Sequence, residues 1–253
     1  MIAGWTLPKT PQPHVAAPAP GPNWALFLDI DGTLVDIACR PDAVTIPATL
    51  TPTLAGARAW LGGALAIASG RTLGEIDHLT APLRLACVAE HGAVIRYPQG
   101  EVEHANRGGA VPAAWRACLR AATRDWAGVW VEEKTHGVAV HFRQAPRRQD
   151  QVRDLVEAVV AKDAKAFEIL PASMAFEIRR RGLSKALAVE TFMAQPPFAG
   201  RVPIFVGDDV TDEDGFRAAR AMGGLGLNVH ACFSGRPSEV RRWLTGFAPS
   251  APS

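Results

Sequence analysis

Short apolar runs alternate along the chain with segments of helical periodicity, and this alternation restricts the fold more than any other sequence feature. Each run is almost continuously apolar, as expected for strands buried on both faces of a parallel sheet. The pattern predicts an α/β protein with a doubly wound, Rossmann-like parallel sheet, whose ligands bind at the carboxyl ends of the strands. The predicted strands are WALFLDI at 24–30, ALAIAS at 64–69, LACVAE at 85–90, PIFVGDD at 203–209 and GGLGLNV at 223–229.

The middle of the chain has a different rhythm, because two helix-strand-strand units follow one another there. Such units favour a small antiparallel sheet, and we expect residues 106–181 to form an α+β cap domain inserted into the parallel core. The core would then be discontinuous and comprise residues 23–105 and 182–247. Residues 1–22 are rich in proline and should form a disordered lead-in, and residues 248–253 should form a flexible tail.

Composition limits the kinds of partner that this chain can have. Its 253 residues are 48% hydrophobic, and a formal net charge of +2 is too small to predict nucleic-acid binding. No apolar stretch is long enough for a bilayer, and the N-terminal segment lacks the apolar core of a signal peptide. We therefore expect a cytoplasmic protein without a nucleic-acid or membrane partner. The cysteines are far apart and should be reduced thiols that fill the core: Cys39, Cys87, Cys118 and Cys232.

Two carboxylates, Asp29 and Asp31, follow the first predicted strand and precede Gly32. Glycine tolerates the sharp turn that must follow a buried strand. Carboxylates this close repel each other unless a cation or a shared proton intervenes, and Mg²⁺ prefers oxygen ligands of this kind. The pair therefore predicts a metal site, with loop polarity and helix capping as the alternative for so short a pattern.

Further acidic residues follow the fourth predicted strand. Asp208 and Asp209 stand where this strand leaves the sheet and could complete the metal site, with Asp212 close behind them. Glu213 and Asp214 are better explained as favourable charges at the start of a helix. The ends of two strands would therefore contribute carboxylates to one site.

Two other segments predict an anion site. Ser69 ends a strand, Gly70 permits close backbone approach, and the helix expected after Thr72 would direct free N–H groups towards a phosphate, although an ordinary turn serine is the alternative. Lys185 is expected at the start of another helix, where the helix dipole disfavours a cation, so that a nearby anion would account for it, although a solvated surface lysine is the alternative. Two helix starts resemble capping boxes, Thr72 with Glu75 and Thr211 with Asp214.

The order and spacing of these motifs resemble those of the haloacid dehalogenase-like phosphatases: DIDGT at 29–33, a serine, a lysine and a late GDDVTDED at 207–214. Within that superfamily, GDDVTDED is similar to the signature of the trehalose-6-phosphate phosphatases. The resemblance extends through AEHGAVIR at 89–96, EEKTHGVAVHFR at 132–143 and MAFEIRRRGLSKALA at 174–188. It implies a hydrolase core with a cap, a Mg²⁺ cofactor, trehalose 6-phosphate as the small-molecule substrate, and a trehalose-phosphate synthase as a pathway partner.

The resemblance also implies roles for individual residues. Asp29 would be the nucleophile that forms an aspartyl-phosphate, and Asp31 would protonate the leaving sugar oxygen and then activate water. Ser69 and Lys185 would hold the phosphoryl oxygens. The implied metal set is the Asp29 carboxylate, the Asp31 backbone carbonyl and Asp208, with Asp209 or Asp212 supporting bound waters. Substrate contacts would come from Gly70, Arg71, His91, Glu132, Lys134, His141, Arg143 and Glu177.

Strand periodicity gives part of this substrate set independent support. His141 and Arg143 should share one face of a strand, and Glu177 should point away from its apolar neighbours. Such polar groups suit sugar hydroxyls, but a half-exposed antiparallel sheet would carry a similar polar face. Three tryptophans are expected in the core of the cap rather than under a sugar: Trp115, Trp126 and Trp130.

Other functions stay open on the sequence alone. The substrate could be another sugar phosphate, such as sucrose 6-phosphate or mannosylglycerate phosphate, and a mutase could use the same pair of aspartates. A non-catalytic sugar-phosphate sensor is disfavoured, because such a module would be expected to have lost at least one residue of the catalytic set. All of that set is present: Asp29, Asp31, Ser69, Lys185 and Asp208.

Overall fold

The computed structural model describes residues 15–38, 40, 43–105 and 108–247. The strands are β1 (Trp24–Leu28), β2 (Leu65–Ala68), β3 (Ala86–Ala89), β4 (Val94–Arg96), β5 (Val102–His104), β6 (Trp130–Glu133), β7 (Val138–His141), β8 (Phe167–Ala172), β9 (Ala175–Arg180), β10 (Val202–Gly207) and β11 (Leu225–Asn228). Seven of them form one sheet in the order β11-β10-β1-β2-β3-β4-β5. The first five strands in this order pair in parallel, so the five apolar runs form the predicted sheet and the fold class is confirmed.

Helices connect and cover these strands. The α-helices are α1 (Leu50–Trp60), α2 (Leu73–Thr80), α3 (Ala113–Thr123), α4 (Gln149–Val160), α5 (Ala186–Met193), α6 (Glu213–Ala221), α7 (Val229–Cys232) and α8 (Pro237–Leu244). In the larger sheet, α5 packs against β1, β2 and β3, and α6 packs against β10 and β11. A continuous cluster of buried apolar side chains joins this sheet to its helices, and it holds the loops at the strand ends in place.

The sheet continues beyond the predicted strands, because β4 pairs antiparallel with β3 and β5 pairs antiparallel with β4. The sequence analysis did not predict these two strands. Each is three residues long and contains charged side chains, so neither produces a recognisable apolar run. Arg96 in β4 is buried because its guanidinium donates to the Leu85 carbonyl at 2.8 Å and to Asp77 at 2.5 Å.

A second, antiparallel sheet has the order β6-β7-β9-β8. It contains both predicted helix-strand-strand units, with α3 before β6 and β7 and with α4 before β8 and β9. One face packs on these helices through a separate apolar cluster that includes Val138, Val140, Phe176 and Ile178. The opposite face is turned towards the carboxyl ends of the parallel strands. We retain residues 106–181 as the proposed cap and 23–105 with 182–247 as the proposed core, noting that residues 106 and 107 lie outside the described ranges.

The described part of the proline-rich lead-in lies against the core. The Val15 N–H donates to the Ala231 carbonyl at 3.2 Å, and the Trp243 indole donates to the Pro18 carbonyl at 2.8 Å. Residues 1–14 and 248–253 lie outside the described residues, as does Cys39. Cys87 is buried as predicted, but Cys118 is exposed on α3, so the expectation that it fills the core was wrong.

Helix capping agrees with one prediction and corrects the other. The Thr72 hydroxyl accepts from the Glu75 N–H at 3.3 Å, and the Glu75 carboxylate accepts from the Thr72 N–H at 2.9 Å, which confirms the first capping box. The second box lies two residues earlier than predicted, at Asp209 and Asp212, because a short 3-10 helix precedes α6 and buries Thr211. Within the described ranges, no helix is long and apolar enough to cross a membrane.

Candidate active site

Asp29 lies where β1 leaves the sheet, and its side chain is buried. Its Oδ1 accepts from the Lys185 ammonium at 2.7 Å, and its Oδ2 lies 3.5 Å from the Thr33 hydroxyl. Burial raises the pKa of Asp29 well above its usual range against the opposing charge of Lys185, and the nearby Asp212 adds to the rise. Asp29 is therefore a carboxylate whose charge depends on the cations around it.

The predicted acidic cluster is present at the ends of β1 and β10. Asp29, Asp208 and Asp212 can each place a carboxylate oxygen within 4.8 Å of the others. Asp208 Oδ1 is buried without a hydrogen-bond partner among the described residues, and burial together with Asp212 raises the pKa of Asp208 to about 7. Gly32, at a φ of +77°, lies so close that an added Cβ would collide with the Asp208 carboxylate.

Lys185 lies between two carboxylates at the start of α5. Its ammonium donates to Asp29 and to Asp212 at 2.7 Å each, and all three side chains are buried. Burial lowers the pKa of Lys185, but the charges of Asp212 and Asp29 outweigh burial and hold it well above its ordinary value. When all three carboxylates of the cluster are ionised, they exceed the one ammonium by two negative charges, which a divalent cation would balance.

Asp212 and Asp209 build the loop that carries this cluster. Asp212 is fully buried, and its Oδ2 accepts from the N–H groups of Asp208 and Asp209 at 3.0 Å each. The Asp209 carboxylate accepts from the Val210 N–H at 2.6 Å and also lines the adjoining cavity. Asp212 therefore positions Lys185 and Asp208 from behind, and Asp209 lies nearer the opening.

Asp31 is held by Arg71 in a two-pronged ion pair. The Arg71 Nε and one terminal nitrogen donate to the two carboxylate oxygens of Asp31 at 2.7 Å each. Arg71 is buried, which lowers the pKa of its guanidinium, but the hydrogen bond and charge of Asp31 raise it further than burial lowers it. Arg71 also lines the cavity, so its contact with the substrate stays a prediction beside this pairing. The Asp31 carboxylate consequently has one fixed orientation at the cavity.

Ser69 and Gly70 form the turn after β2, beside these acids. Ser69 is buried, and its hydroxyl accepts from the Arg71 N–H at 3.3 Å. The Gly70 backbone lies against the His91 ring, so that an added Cβ would strike its Nε2 atom. A side chain at position 70 would push the turn away from the His91 ring, so only glycine fits here without a steric clash.

The polar face of the cap sheet forms the opposite wall. Glu132 on β6 and His141 on β7 are paired at 2.7 Å between Oε2 and Nε2. The Trp130 ring stacks on the His141 ring, with centroids 4.0 Å apart and an angle of 3° between the planes. The prediction that Trp130 lies in the core of the cap was therefore wrong, whereas Trp115 and Trp126 pack there as predicted.

Arg143 lies further along the same wall, where its guanidinium donates to the Ser173 carbonyl at 2.9 Å and to the Ser173 hydroxyl at 3.2 Å. Glu177 on β9 also faces this wall, as its strand position predicted, because its neighbours Phe176 and Ile178 are buried in the cap core on the other face. Both side chains line the cavity between the two sheets.

Lys134, Glu177 and His91 join the cap to the core. Lys134 donates to the Glu177 carboxylate at 2.5 Å and to the Gly70 carbonyl at 2.9 Å, and His91 Nε2 lies 3.4 Å from Glu177. Burial raises the pKa of Glu177, but the charges and hydrogen bonds of Lys134 and His91 together outweigh burial and hold it far below its ordinary value. Burial lowers the pKa of His91, so its imidazole is kept neutral. These side chains therefore pair with one another across the boundary between the cap and the core.

The two walls line one cavity that is open to solvent, and a few polar groups converge in it, as is usual for small-molecule sites. It brings together nearly all of the site residues predicted from the sequence, and Asp212 lies behind its floor. The predicted residues that line it are Asp29, Asp31, Ser69, Gly70, Arg71, His91, Glu132, Lys134, His141, Arg143, Glu177, Lys185, Asp208 and Asp209.

Three features of this region were not predicted. Arg40 lines the cavity and places its guanidinium 4.9 Å from the centre of the Trp130 ring. Glu90 is buried beside His91 and accepts hydrogen bonds from the cap backbone. A glutamate at the end of an apolar strand was a usable signal for Glu90. No local pattern distinguishes Arg40 or the stacking role of Trp130.

This chain is similar to known proteins in both sequence and fold. A probable trehalose-phosphate phosphatase of Sinorhizobium fredii is 44% identical over 207 residues, which cover 82% of this chain and 78% of that protein. Trehalose-6-phosphate phosphatase of Escherichia coli is 33% identical over 224 residues, covering 88% and 82%. The C-terminal domain of C. albicans trehalose-6-phosphate phosphatase shares the fold with a TM-score of 0.72 at 18% identity, covering 89% of this chain and 91% of that one.

The family assignment rests on two agreeing comparisons. The family model described as Trehalose-phosphatase matches residues 27–243, which include every residue that lines the cavity and all strands of both sheets except the first three residues of β1. The Sinorhizobium fredii and Escherichia coli relatives exceed 30% identity over most of their length and of this chain. The chain therefore belongs to the trehalose-phosphatase family, a family of phosphoric monoester hydrolases.

Proposed function

We propose that this protein hydrolyses trehalose 6-phosphate to trehalose and phosphate through an aspartyl-phosphate on Asp29. The observation that carries the proposal is the meeting of Asp29, Asp208 and Lys185 on one wall of a cavity whose other wall is the polar face of the cap sheet. The names of the relatives support the same substrate. A trehalose-phosphate synthase would supply it, and the cytoplasmic location stays a prediction.

The residues present fit a Mg²⁺ ion. Asp29, Asp208 and the backbone carbonyl of Asp31 would hold it, with Asp209 or Asp212 beside its waters. Asp208 Oδ1 is a buried oxygen that lacks a partner within the described residues, and the fully ionised cluster has two negative charges in excess, so both features suit a hard divalent cation. When bound, Mg²⁺ would offset the charge of the phosphoryl group and of the attacking carboxylate.

Asp29 and Asp31 would divide the chemistry between them. The Asp29 carboxylate attacks phosphorus, the bond from phosphorus to the sugar oxygen breaks, and Asp31 gives its proton to that oxygen. Asp31 then accepts a proton from a water molecule whose oxygen attacks the phosphorus, which releases phosphate and restores Asp29. In its ionised form, the Asp31 carboxylate is held in one direction by the two hydrogen bonds from Arg71.

Ser69 and Lys185 would hold phosphoryl oxygens, and Lys185 also orients Asp29. On the cap wall, Glu132, His141 and Arg143 would pair with sugar hydroxyls. A site built from such groups rejects analogues that leave them unpaired, because an unpaired buried polar group is costly. Lys134, Glu177 and His91 would contact the substrate where the cap meets the core, between the sugar site and the phosphate site.

Phosphate release by the purified protein with Mg²⁺ tests the proposal. We would compare trehalose 6-phosphate, sucrose 6-phosphate, glucose 6-phosphate and mannosylglycerate phosphate, using Asp29→Asn and, as matched control, Asp36→Asn at an exposed position. We expect preference for trehalose 6-phosphate, loss of activity in Asp29→Asn and with a chelator, and no change in Asp36→Asn. Preference for another sugar phosphate would overturn the substrate, and release from none would favour a non-catalytic sensor.

A further inference from the structure

Glu90 connects the core to the cap by hydrogen bonds that the proposed reaction does not use. It follows β3, and 3% of the residue is exposed. Its carboxylate accepts from the N–H groups of Thr135 at 3.2 Å, His136 at 2.7 Å and Gly137 at 3.4 Å. These three residues form the turn between β6 and β7. Successive backbone N–H groups that converge on one point form an anion-binding concavity, and here the anion is a side chain of the core.

The carbonyl groups on the other side of this turn accept hydrogen bonds from a side chain of the cap. Arg116 on α3 donates to the Lys134 carbonyl at 2.6 Å and to the Thr135 carbonyl at 3.3 Å. The same guanidinium donates to the Val111 carbonyl at 3.1 Å, which ties it to the start of α3. The turn is therefore shaped within the cap, and its amide groups are presented to the core as a preformed site for a carboxylate.

The backbone of the core is held in an unusual conformation at the same place. Glu90 has a φ of 47° and His91 a φ of 54°, and both lie in the left-handed region that side chains other than glycine rarely adopt. Consecutive residues of this kind persist when surrounding contacts demand them, and they cluster at functional sites. Here they direct Glu90 to the cap turn and His91 to Glu177, so both side chains cross the same boundary.

We propose that Glu90 is a positioning residue for sugar-phosphate recognition, which fixes the cap turn at 135–137 against the core and thereby sets the position of Lys134. The inference rests on the proposed function. Lys134 directly precedes the turn, and its ammonium meets both the Gly70 carbonyl and the Glu177 carboxylate. Without the Glu90 carboxylate, the three amide groups of the turn lose this charged acceptor, and the cap loses its register over the phosphate site.

The test compares a substrate that needs the cap with one that does not. Trehalose 6-phosphate requires sugar contacts from the cap wall, whereas the phosphate of para-nitrophenyl phosphate needs the core machinery alone. For Glu90→Gln we expect kcat/KM on trehalose 6-phosphate to fall about 10- to 100-fold, chiefly through KM, because charge-assisted hydrogen bonds are lost. On para-nitrophenyl phosphate it should change by less than about twofold. Glu90→Asp, which restores the charge at shorter reach, should be intermediate, and Glu101→Gln, at an exposed core position, should match the parent protein.

Amide hydrogen exchange gives a second readout that is independent of the substrate. In Glu90→Gln, exchange at residues 135–137 should become faster by a similar factor, with the parallel sheet unchanged. Equal losses on both substrates would indicate a merely structural role and overturn the inference, as would no loss on either. If the parent protein prefers a different sugar phosphate, the proposed substrate is wrong. Glu90 is then tested by comparing the loss of kcat/KM on that sugar phosphate with the loss on para-nitrophenyl phosphate. If it hydrolyses none, unchanged exchange at the turn overturns the inference and faster exchange supports the anchoring of the turn.

Discussion

Replacing Lys185 by methionine keeps much of the side-chain volume but removes the charge that two buried carboxylates share. In the parent protein, the ammonium lies 2.7 Å from Asp29 and 2.7 Å from Asp212. In the variant, Asp212 keeps two backbone donors, whereas Asp29 keeps, within the described part of the chain, the 3.5 Å contact with Thr33. Breaking a buried ion pair costs about 3–5 kcal/mol, so without Mg²⁺ we expect unfolding free energy to fall by about 4 kcal/mol near neutral pH.

The cost should depend on pH with a definite sign. Because the pKa of Lys185 is raised, its stabilising effect is complete below the ordinary lysine value, so the titration of the lysine itself adds no pH dependence between about pH 5 and about pH 8. In the variant, the pKa of Asp29, which is already raised in the parent protein, rises further because the Lys185 charge that lowers it is gone. A carboxyl group that binds protons more tightly in the folded state makes stability fall as pH rises. The penalty should therefore be smaller at about pH 5 than at about pH 8.

Urea unfolding monitored by tryptophan fluorescence, with a chelator present, measures this penalty. Lys162→Met, which removes an exposed lysine of the cap, is the matched control and should stay within about 0.5 kcal/mol of the parent protein. A penalty below about 1 kcal/mol for Lys185→Met, or one equal at both pH values, would refute the conclusion that Lys185 neutralises two buried carboxylates.

The remaining predictions concern activity. Arg71→Met frees Asp31 from its fork and should lower kcat on the preferred sugar phosphate by about 10- to 100-fold in steady-state assays; an unchanged kcat would contradict the positioning of Asp31. Trp130→Leu removes the ring stacked on His141 and should raise KM for the sugar phosphate about three- to tenfold without affecting para-nitrophenyl phosphate, whereas equal effects on both would contradict a sugar-side role. Burial raises the pKa of Asp208 to about 7, so protons should compete with the metal below that value. The Mg²⁺ concentration for half-maximal phosphate release should then rise between about pH 8 and about pH 6, and a constant requirement would contradict this.

The floor of the site could be predicted from the sequence because each of its parts is encoded locally. Asp29 and Asp208 follow apolar strands directly, and the carboxyl ends of parallel strands meet at one edge of the sheet. Locating the two strands in the sequence was enough to place these aspartates, without knowing how the rest of the chain packs. The cap face of Glu177 followed in the same way from the alternation of β9.

The pairings across the boundary could not be predicted, because they join residues far apart in the chain. Lys134 and Gly70 are separated by 64 positions, and Glu90 and His136 by 46. No periodicity reports which side chain meets which backbone group when one sheet is placed over another. The pairing of Arg71 with Asp31 lies within the core, but it spans 40 positions and was likewise not predicted. Such contacts depend on how distant segments are placed in the fold rather than on any local preference.

Lys185 was predictable because a local preference conflicts with its position. A cation at the first turn of a helix is opposed by the helix dipole, at a cost of about 0.3–1 kcal/mol. The structure places Lys185 at the start of α5 between two buried carboxylates, and removing one partner of such a pair costs several kcal/mol. The ion pairs are stronger than the opposing dipole, so the lysine stays where the dipole disfavours it. A residue that violates a weak local rule therefore indicates that a stronger interaction, here with the acids of the site, holds it in place.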